Sequence, residues 1–165
     1  MSSSLVGSEM CIRDRARPYL PNPNDALMVE DAGLFIDKSN GFPGVYSAYV
    51  LETLGCDGIL NLLKGETDRG AQFEAVAAFL LDGTIYVSRG VCRGVIASSA
   101  SGEDGFGFDP IFVPDNIEMD GKTTTTNGLT FADVDLRLKE QFSHRRKALD
   151  GLIKSLSSSE TASSS

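Results

Sequence analysis

Phe73-Glu74-Ala75-Val76-Ala77-Ala78-Phe79-Leu80-Leu81-Asp82-Gly83-Thr84-Ile85-Tyr86-Val87 is the stretch that decides the fold class. Phe73, Ala75, Ala77, Phe79 and Leu81 recur at every second position, the period of a strand laying one face on a core. Asp82-Gly83 interrupts the run and Ile85-Tyr86-Val87 resumes it. Asp-Gly between two such runs is the composition of a tight hairpin turn, because both central residues must take positive φ. Val91 to Ile96 can prolong the second strand.

Upstream, Ala26-Leu27-Met28-Val29 reads as a short apolar strand that delivers Glu30 and Asp31 at its end, and Leu34-Phe35-Ile36 as another. Gly41-Phe42-Pro43-Gly44 is a turn by composition. Val45 to Leu54 is helical in pattern, with Gly55 as its C-terminal cap. Asp57 is placed to cap a second short helix carrying Ile59, Leu60, Leu62 and Leu63, stopped by Gly65. Downstream, Ile111-Phe112-Val113 is a further strand, and residues 115–130, with Thr123 to Thr126 and Asn127-Gly128, read as a long polar loop. Leu138, Phe142, Leu149, Leu152, Ile153 and Leu156 share one helical face. Either Ser143 caps a fresh helix at His144 or one helix runs through. Strands and helices that mix without strict alternation imply an α/β domain with a mixed sheet and flanking helices.

The ends differ from this middle. Residues 1–25 have no helical or strand period and run into Pro18, Pro21 and Pro23; they read as a flexible arm or as a gene-assembly scar replacing the natural start. Residues 26–156 form the domain. Residues 157–165 are Ser, Thr, Ala and one Glu, and read as a disordered tail.

A chain of 165 residues can bury a single substantial core. A net charge of -8 argues against binding a nucleic-acid polymer, which needs a basic face to displace counterions. An acidic protein acting on phosphates needs a divalent cation between itself and its substrate. Cys11, Cys56 and Cys92 are odd in number and widely spaced, so neither a disulfide framework nor a structural zinc site is expected. No apolar run approaches a membrane span. These features fit a cytoplasmic protein with reduced thiols.

Four constellations can carry chemistry. Gly102 to Pro114 gathers Gly102, Gly105 and Gly107 with Phe106, Phe108 and Phe112 around Asp109-Pro110. Glycine allows close approach, an aromatic between glycines offers a face to a flat ring, and Asp109 before proline is held extended. The set describes a place for a planar, hydrogen-bonding ligand, or else a glycine-rich turn whose phenylalanines belong to the core. Glu30-Asp31 can bind Mg²⁺ or activate water, or can be an acidic turn facing solvent. Lys139 with Ser143-His144-Arg145 places positive groups near a helix start, suited to phosphate or to a carbonyl oxygen, or forms a solvated basic face with Arg146 and Lys147. Asp68-Arg69 reads as structural.

Taken in order, Val29-Glu30-Asp31-Ala32-Gly33-Leu34, Gly41-Phe42-Pro43-Gly44-Val45-Tyr46-Ser47, Asp68-Arg69, the 102–114 segment and Ser143-His144-Arg145 resemble the inosine triphosphate pyrophosphatase family from about Ala26 to Leu156. The resemblance implies hydrolysis of non-standard purine nucleoside triphosphates (ITP, dITP, XTP) to monophosphate and pyrophosphate with Mg²⁺. It further implies an elongated mixed sheet with two lobes around a cleft, usually in a homodimer. By motif, Asp31 resembles the proton acceptor that activates water, and Glu30 and Asp31 the metal-binding carboxylates. Ala32 matches a substrate contact. Phe106, Gly107, Phe108 and Asp109 match the base pocket, Phe106 stacking on the purine and Asp109 bonding its edge. Lys139, His144 and Arg145 match the remaining nucleotide contacts.

The family's Thr-Gly-Asn-x-x-Lys phosphate loop has no counterpart in residues 1–25, and Phe108 stands where Tyr or Trp is commoner. Two other readings compete: a truncated, non-catalytic chain that retains a purine pocket, and a Maf-type nucleotide pyrophosphatase. Gly-Phe-Gly-Phe-Asp-Pro and Ser-His-Arg speak against the second.

Overall fold

The computed structural model describes residues 26–103 and 105–162, without the side chains of 159–162. The expectations for residues 1–25, Asp104 and 163–165 lie outside the described residues.

The quoted stretch forms the hairpin its alternation predicts. Strand β2 spans Gly70–Leu81 and β3 spans Thr84–Ile96. Between them Asp82 and Gly83 take φ of 48° and 77°, the positive pair that matches the twist of a hairpin. β1 is Leu27–Ile36 and β4 is Phe112–Pro114. The four form one sheet in the order β1-β2-β3-β4, with β4 antiparallel to β3 and Ile96 opposite Phe112. The chain has helices α1 Ser47–Thr53, α2 Gly55–Leu62, α3 Leu136–Phe142 and α4 His144–Ala162. The result is an α/β fold, a sheet with flanking helices.

Several local expectations change. The two short runs around Glu30-Asp31 are one continuous strand, so the carboxylates sit inside β1 and not at its end. The helix expected from Val45 begins as a 3-10 turn, Gly44–Tyr46, before α1. Asp57 lies in the first turn of α2, where its charge suits the helix dipole, while Leu54 occupies the cap position. The loop expected over 115–130 contains a small hairpin, β5 Ile117–Met119 and β6 Lys122–Thr124. Asp120-Gly121 turns it with another positive-φ pair. The disordered tail expected from 157 is instead helix through Ala162. Its serines do not break it, because Ser155, Ser157 and Ser158 donate to the carbonyls four residues back, of Gly151, Ile153 and Lys154.

The chain divides into two compact units. The larger holds Gly33–Glu74 and Cys92–Ser143. Its core gathers Leu34, Ile36, Ile59, Leu63, Phe73, Ile96, Phe112, Phe131 and Phe142. Phe73, Phe112, Phe131 and Phe142 meet in sequence, with centroid separations of 4.5, 5.4 and 6.1 Å. The turn at 41–44 is fixed to β1 by buried Ser47, whose hydroxyl accepts from Leu34 N at 2.8 Å and donates to Gly44 O at 2.6 Å. Gly33 is needed there: a Cβ on it would lie 2.4 Å from Gly44 O. Beyond β1, Arg93 forks onto both Asp37 oxygens at 3.1 and 2.7 Å and also donates to Gln72.

The other unit holds 26–32, Ala75–Val91 and 144–162 of the described residues. Here Ala75 and Ala77 of β2 pack against Ala148 and Leu152 of α4, with Phe79, Tyr86 and Leu149 around them. The small residues let the helix lie low on the strands. At Gly90 the approach is closest: a Cβ would fall 1.9 Å from His144 O and 2.6 Å from Ala148 N.

Two outcomes follow from these contacts. Gly90→Ala meets backbone on every side, so it should lower the unfolding free energy by about 1–3 kcal/mol, read as a fall in Tm. Gly151→Ala meets the rotatable Ser88 hydroxyl at 2.1 Å and the Ser88 Cβ at 3.3 Å, no backbone, and gains helix propensity, so its Tm should fall less than that of Gly90→Ala. A pH effect comes from Asp37, which the Arg93 hydrogen bond and charge hold below the usual carboxylate range. A depressed native pKa contributes stability above the unfolded value, about 3.9, and loses it as pH falls through the native value. Both side chains are about half exposed, so the contribution should be below about 1 kcal/mol. In urea titrations Asp37→Asn should be less stable than the parent at pH 6, and the two should converge toward pH 2.

Candidate functional site

The 102–111 segment is a loop pinned from both sides within the larger unit. Gly102, at φ +82°, passes so close to Ala132 that a Cβ would meet its carbonyl oxygen at 2.4 Å, and Gly105 abuts Ala132, Asp109 and Pro110. Across from the glycines, Ser101 and Thr130 both donate to Asp133 Oδ2, and these two hydroxyls hold the Asp133 carboxyl below its usual range. Thr130 also donates to Ser101 O at 3.3 Å. This clasp fixes the loop's entrance.

Inside the loop the residues separate by role. Phe106 is 81% exposed, a bare ring on a braced backbone. Its own N–H donates to Asp109 Oδ2 at 2.8 Å, and Lys139 Nζ of α3 pairs with the same oxygen. Lys139 also lies 5.6 Å from the centroid of the Phe131 ring, a cation–π contact. Asp135 caps α3 through Leu138 N at 2.9 Å, so the helix presenting Lys139 has a fixed start. Asp109 is buried, and its carboxylate braces Phe106 and Lys139. Phe108 is 4% exposed and its ring belongs to the core. Gly107 takes φ +69°, and its carbonyl accepts from Cys56 Sγ at 3.6 Å. Burial, then the charges of Asp57 and Asp109, push the Cys56 thiol up, which keeps it a donor.

The second group lies in the smaller unit. Glu30 and Asp31 are neighbours on β1, and strand geometry turns neighbours to opposite faces. Asp31 is exposed. The Glu30 side chain is 23% exposed: its Oε2 accepts from Arg145 Nη1 at 3.1 Å, while its Oε1 is buried with no hydrogen-bond partner. Ala32 packs at the edge of the Ala75–Leu152 cluster. Arg145 is the second residue of α4, and His144 is the first, its carbonyl set against Gly90. Lys147 is withdrawn from the basic face, donating to Val91 O at 2.9 Å.

Two associations thus emerge: Phe106, Asp109 and Lys139 in one unit, Glu30 and Arg145 in the other. Arg69 is structural, as its sequence context indicates. Its Nε, Nη1 and Nη2 donate to the carbonyls of Ile96, Leu63 and Ala97, each at 2.7 Å. Sequence reasoning missed Cys56, the Ser101–Thr130–Asp133 clasp and Gly90, since nothing in their neighbours marks a partner 29 to 58 positions away. Among the described residues no three His, Cys, Asp or Glu side chains gather as a metal cage, and no helix is long and apolar enough to cross a membrane.

Known proteins with this arrangement form one group. The Ham1 family profile matches residues 8–155, starting well ahead of the Ala26 at which the motifs begin. The dITP/XTP pyrophosphatase of Pyrococcus horikoshii is 45% identical over 130 residues, covering 79% of this chain and 63% of that protein. The chain thus spans under two thirds of that relative's length. The dITP/XTP pyrophosphatase of Methanopyrus kandleri is 41% identical over 148 residues, covering 89% of this chain and 69% of that protein. Among solved structures, the Staphylococcus aureus Ham1 protein superposes with a TM-score of 0.69 at 33% identity, over 83% of this chain and 69% of that one. The sheet with flanking helices, the exposed phenylalanine on its carboxylate-braced glycine loop and the glutamate–arginine pair all sit within the matched span: the chain belongs to the Ham1 family.

Proposed function

We infer that the chain hydrolyses non-standard purine nucleoside triphosphates (ITP, dITP, XTP) to the monophosphate and pyrophosphate, as a soluble cytoplasmic homodimer. The observation that carries this reading is Phe106: a phenylalanine four-fifths exposed on a loop locked by Asp109 and Lys139 is preorganised to stack on a flat base. The identity to dITP/XTP pyrophosphatases over most of the chain supports it.

The roles follow from chemistry. Phe106 stacks on the purine, with Gly107 leaving room beside it, and the guanidinium of Arg145 donates to the 6-keto oxygen. Adenine carries an amino group there and would leave that donor facing another donor. A buried mismatch of this kind can discriminate by roughly 10⁴. Lys139 and His144 make the remaining nucleotide contacts, Ala32 lies against the substrate, and Asp31 takes the proton of the attacking water as the α–β anhydride breaks. Glu30 and Asp31 do not chelate one ion, because neighbours on a strand face opposite ways and Glu30 Oε1 is buried. Mg²⁺ is proposed on the exposed carboxylate of Asp31, where water and substrate phosphate would complete the shell, the usual manner of Mg²⁺. When bound, the ion supplies positive charge against the phosphates.

Pyrophosphate release from ITP, XTP, dTTP, GTP and ATP tests the reading. Release confined to ITP and XTP, with kcat falling about 10²–10⁴-fold in Asp31→Asn, is expected. Equal turnover of ATP, or release from dTTP alone, would sink it. A second series tests Asp109 as a brace. Asp109→Asn keeps an oxygen for Phe106 N but removes the charge facing Lys139. It should raise KM about tenfold, a loss of about 1.4 kcal/mol, while the ITP:GTP preference stays unchanged. A changed preference would instead place the carboxylate on the base.

A further inference from the structure

Phe106 stands on a loop whose exit is braced by Asp109, while the chemistry proposed above gives the loop's entrance no part. We propose that Asp133 is a positioning residue for purine binding: through Ser101 and Thr130 it holds the entrance of the 102–109 loop, so that the Phe106 ring meets a base already in its stacking pose. The inference rests on the function proposed above and lies wholly within the larger unit.

Three observations carry it. Ser101 is gripped at every polar atom. Its N–H donates to Pro110 O at 2.9 Å, which closes the two ends of the loop on each other. Its hydroxyl donates to Asp133 Oδ2, and its carbonyl accepts from Thr130 Oγ1 at 3.3 Å. Next, Thr130 and Asp133 belong to one turn, closed by Asp133 N donating to Thr130 O at 3.1 Å and tied to β4 by Phe131 N donating to Phe112 O at 3.0 Å. That turn also carries Ala132, against which Gly102 and Gly105 lie, and Phe131, whose ring borders Lys139. It therefore meets the loop directly at its entrance and, through Lys139 and Asp109, at its exit. Finally, burial is divided: Thr130 is buried, whereas Ser101 and Asp133 are exposed. An exposed carboxylate adds little to core packing, and water would solvate it without help. What its hydroxyl bonds restrict is the freedom of Ser101.

That restriction matters because the loop has little stiffness of its own. Gly102, Gly105 and Gly107 lie on either side of Phe106, and glycine has the widest choice of backbone states. Such a segment holds one pose only when contacts from outside repay the lost entropy. Without the Asp133 carboxylate, the Ser101 hydroxyl exchanges a charge-assisted bond for a neutral one to Thr130 Oγ1 at 3.2 Å. The single Thr130 proton must then hold the Ser101 carbonyl unaided. The entrance loosens, the fraction of molecules presenting Phe106 correctly falls, and the apparent affinity for a base falls with it.

Inosine binding by calorimetry, ITP kinetics and amide exchange by NMR test the assignment on the full chain. If Asp133→Ala leaves the loop in its stacking pose about a tenth of the time, the inosine Kd rises about tenfold. The KM for ITP should rise by the same factor with kcat unchanged, because saturating substrate restores the pose. Exchange of the Phe106 N–H should quicken while Tm stays within about 2 °C of the parent. Ser101→Ala opens the clasp from its other side and should do the same. Asp133→Asn keeps an oxygen for the two hydroxyls and should recover most of the affinity. Inosine bound by Asp133→Ala and Ser101→Ala as tightly as by the parent overturns the positioning role and leaves the purine reading standing. An altered preference between inosine and guanosine does the same, since it would put the carboxylate on the ligand. A Tm that falls in step with affinity in both variants would make the clasp a support of the fold and overturns the role too. No inosine binding by the folded parent overturns both readings.

Discussion

A carboxylate taken out of water must be met by donors, and the braced loop of the larger unit depends on how Asp109 meets that requirement. Its Oδ2 collects the N–H of Phe106 and the ammonium of Lys139, so one buried oxygen ties the loop to helix α3. Lys139 in turn borders Phe131, which belongs to the aromatic chain at the centre of the core. Packing, helix position and loop conformation are thereby linked through a single charge. That arrangement leaves Phe106 free to expose its ring, because its backbone and not its side chain supplies the anchoring.

Close approach is the second constraint, and glycine is its instrument. Gly102 and Gly105 let the loop lie against Ala132, and Gly90 lets the first turn of α4 settle onto β3. At Gly102 and Gly90 a methyl group would collide with backbone, which cannot rotate away, and at Gly105 it would crowd the Cβ atoms of Ala132 and Asp109. These contacts set the starts of the segments that bear Phe106 and Arg145. Both side chains thus rise from backbone that is fixed by residues with no side chain at all.

The two units solve the burial of charge differently. Asp109 is satisfied by two donors on one oxygen, a closed arrangement suited to a brace. Glu30 has one donor and one bare buried oxygen, so its burial is only half compensated.

The sequence alone determined what is local. Alternation from Phe73 to Leu81 and the Asp82-Gly83 turn specified the central hairpin, because strand period and positive φ are properties of a few consecutive residues. The ordered motifs pointed to the family for the same reason. Tertiary structure decided what depends on distant partners. It merged two short apolar runs into β1, since ladder bonds can carry Glu30 and Asp31 through a strand interior. It sent Phe108 into the core while leaving Phe106 outside, although the two share one composition and lie two residues apart. Which phenylalanine faces water, and which carboxylate keeps a bare oxygen, is set by neighbours that only folding brings near.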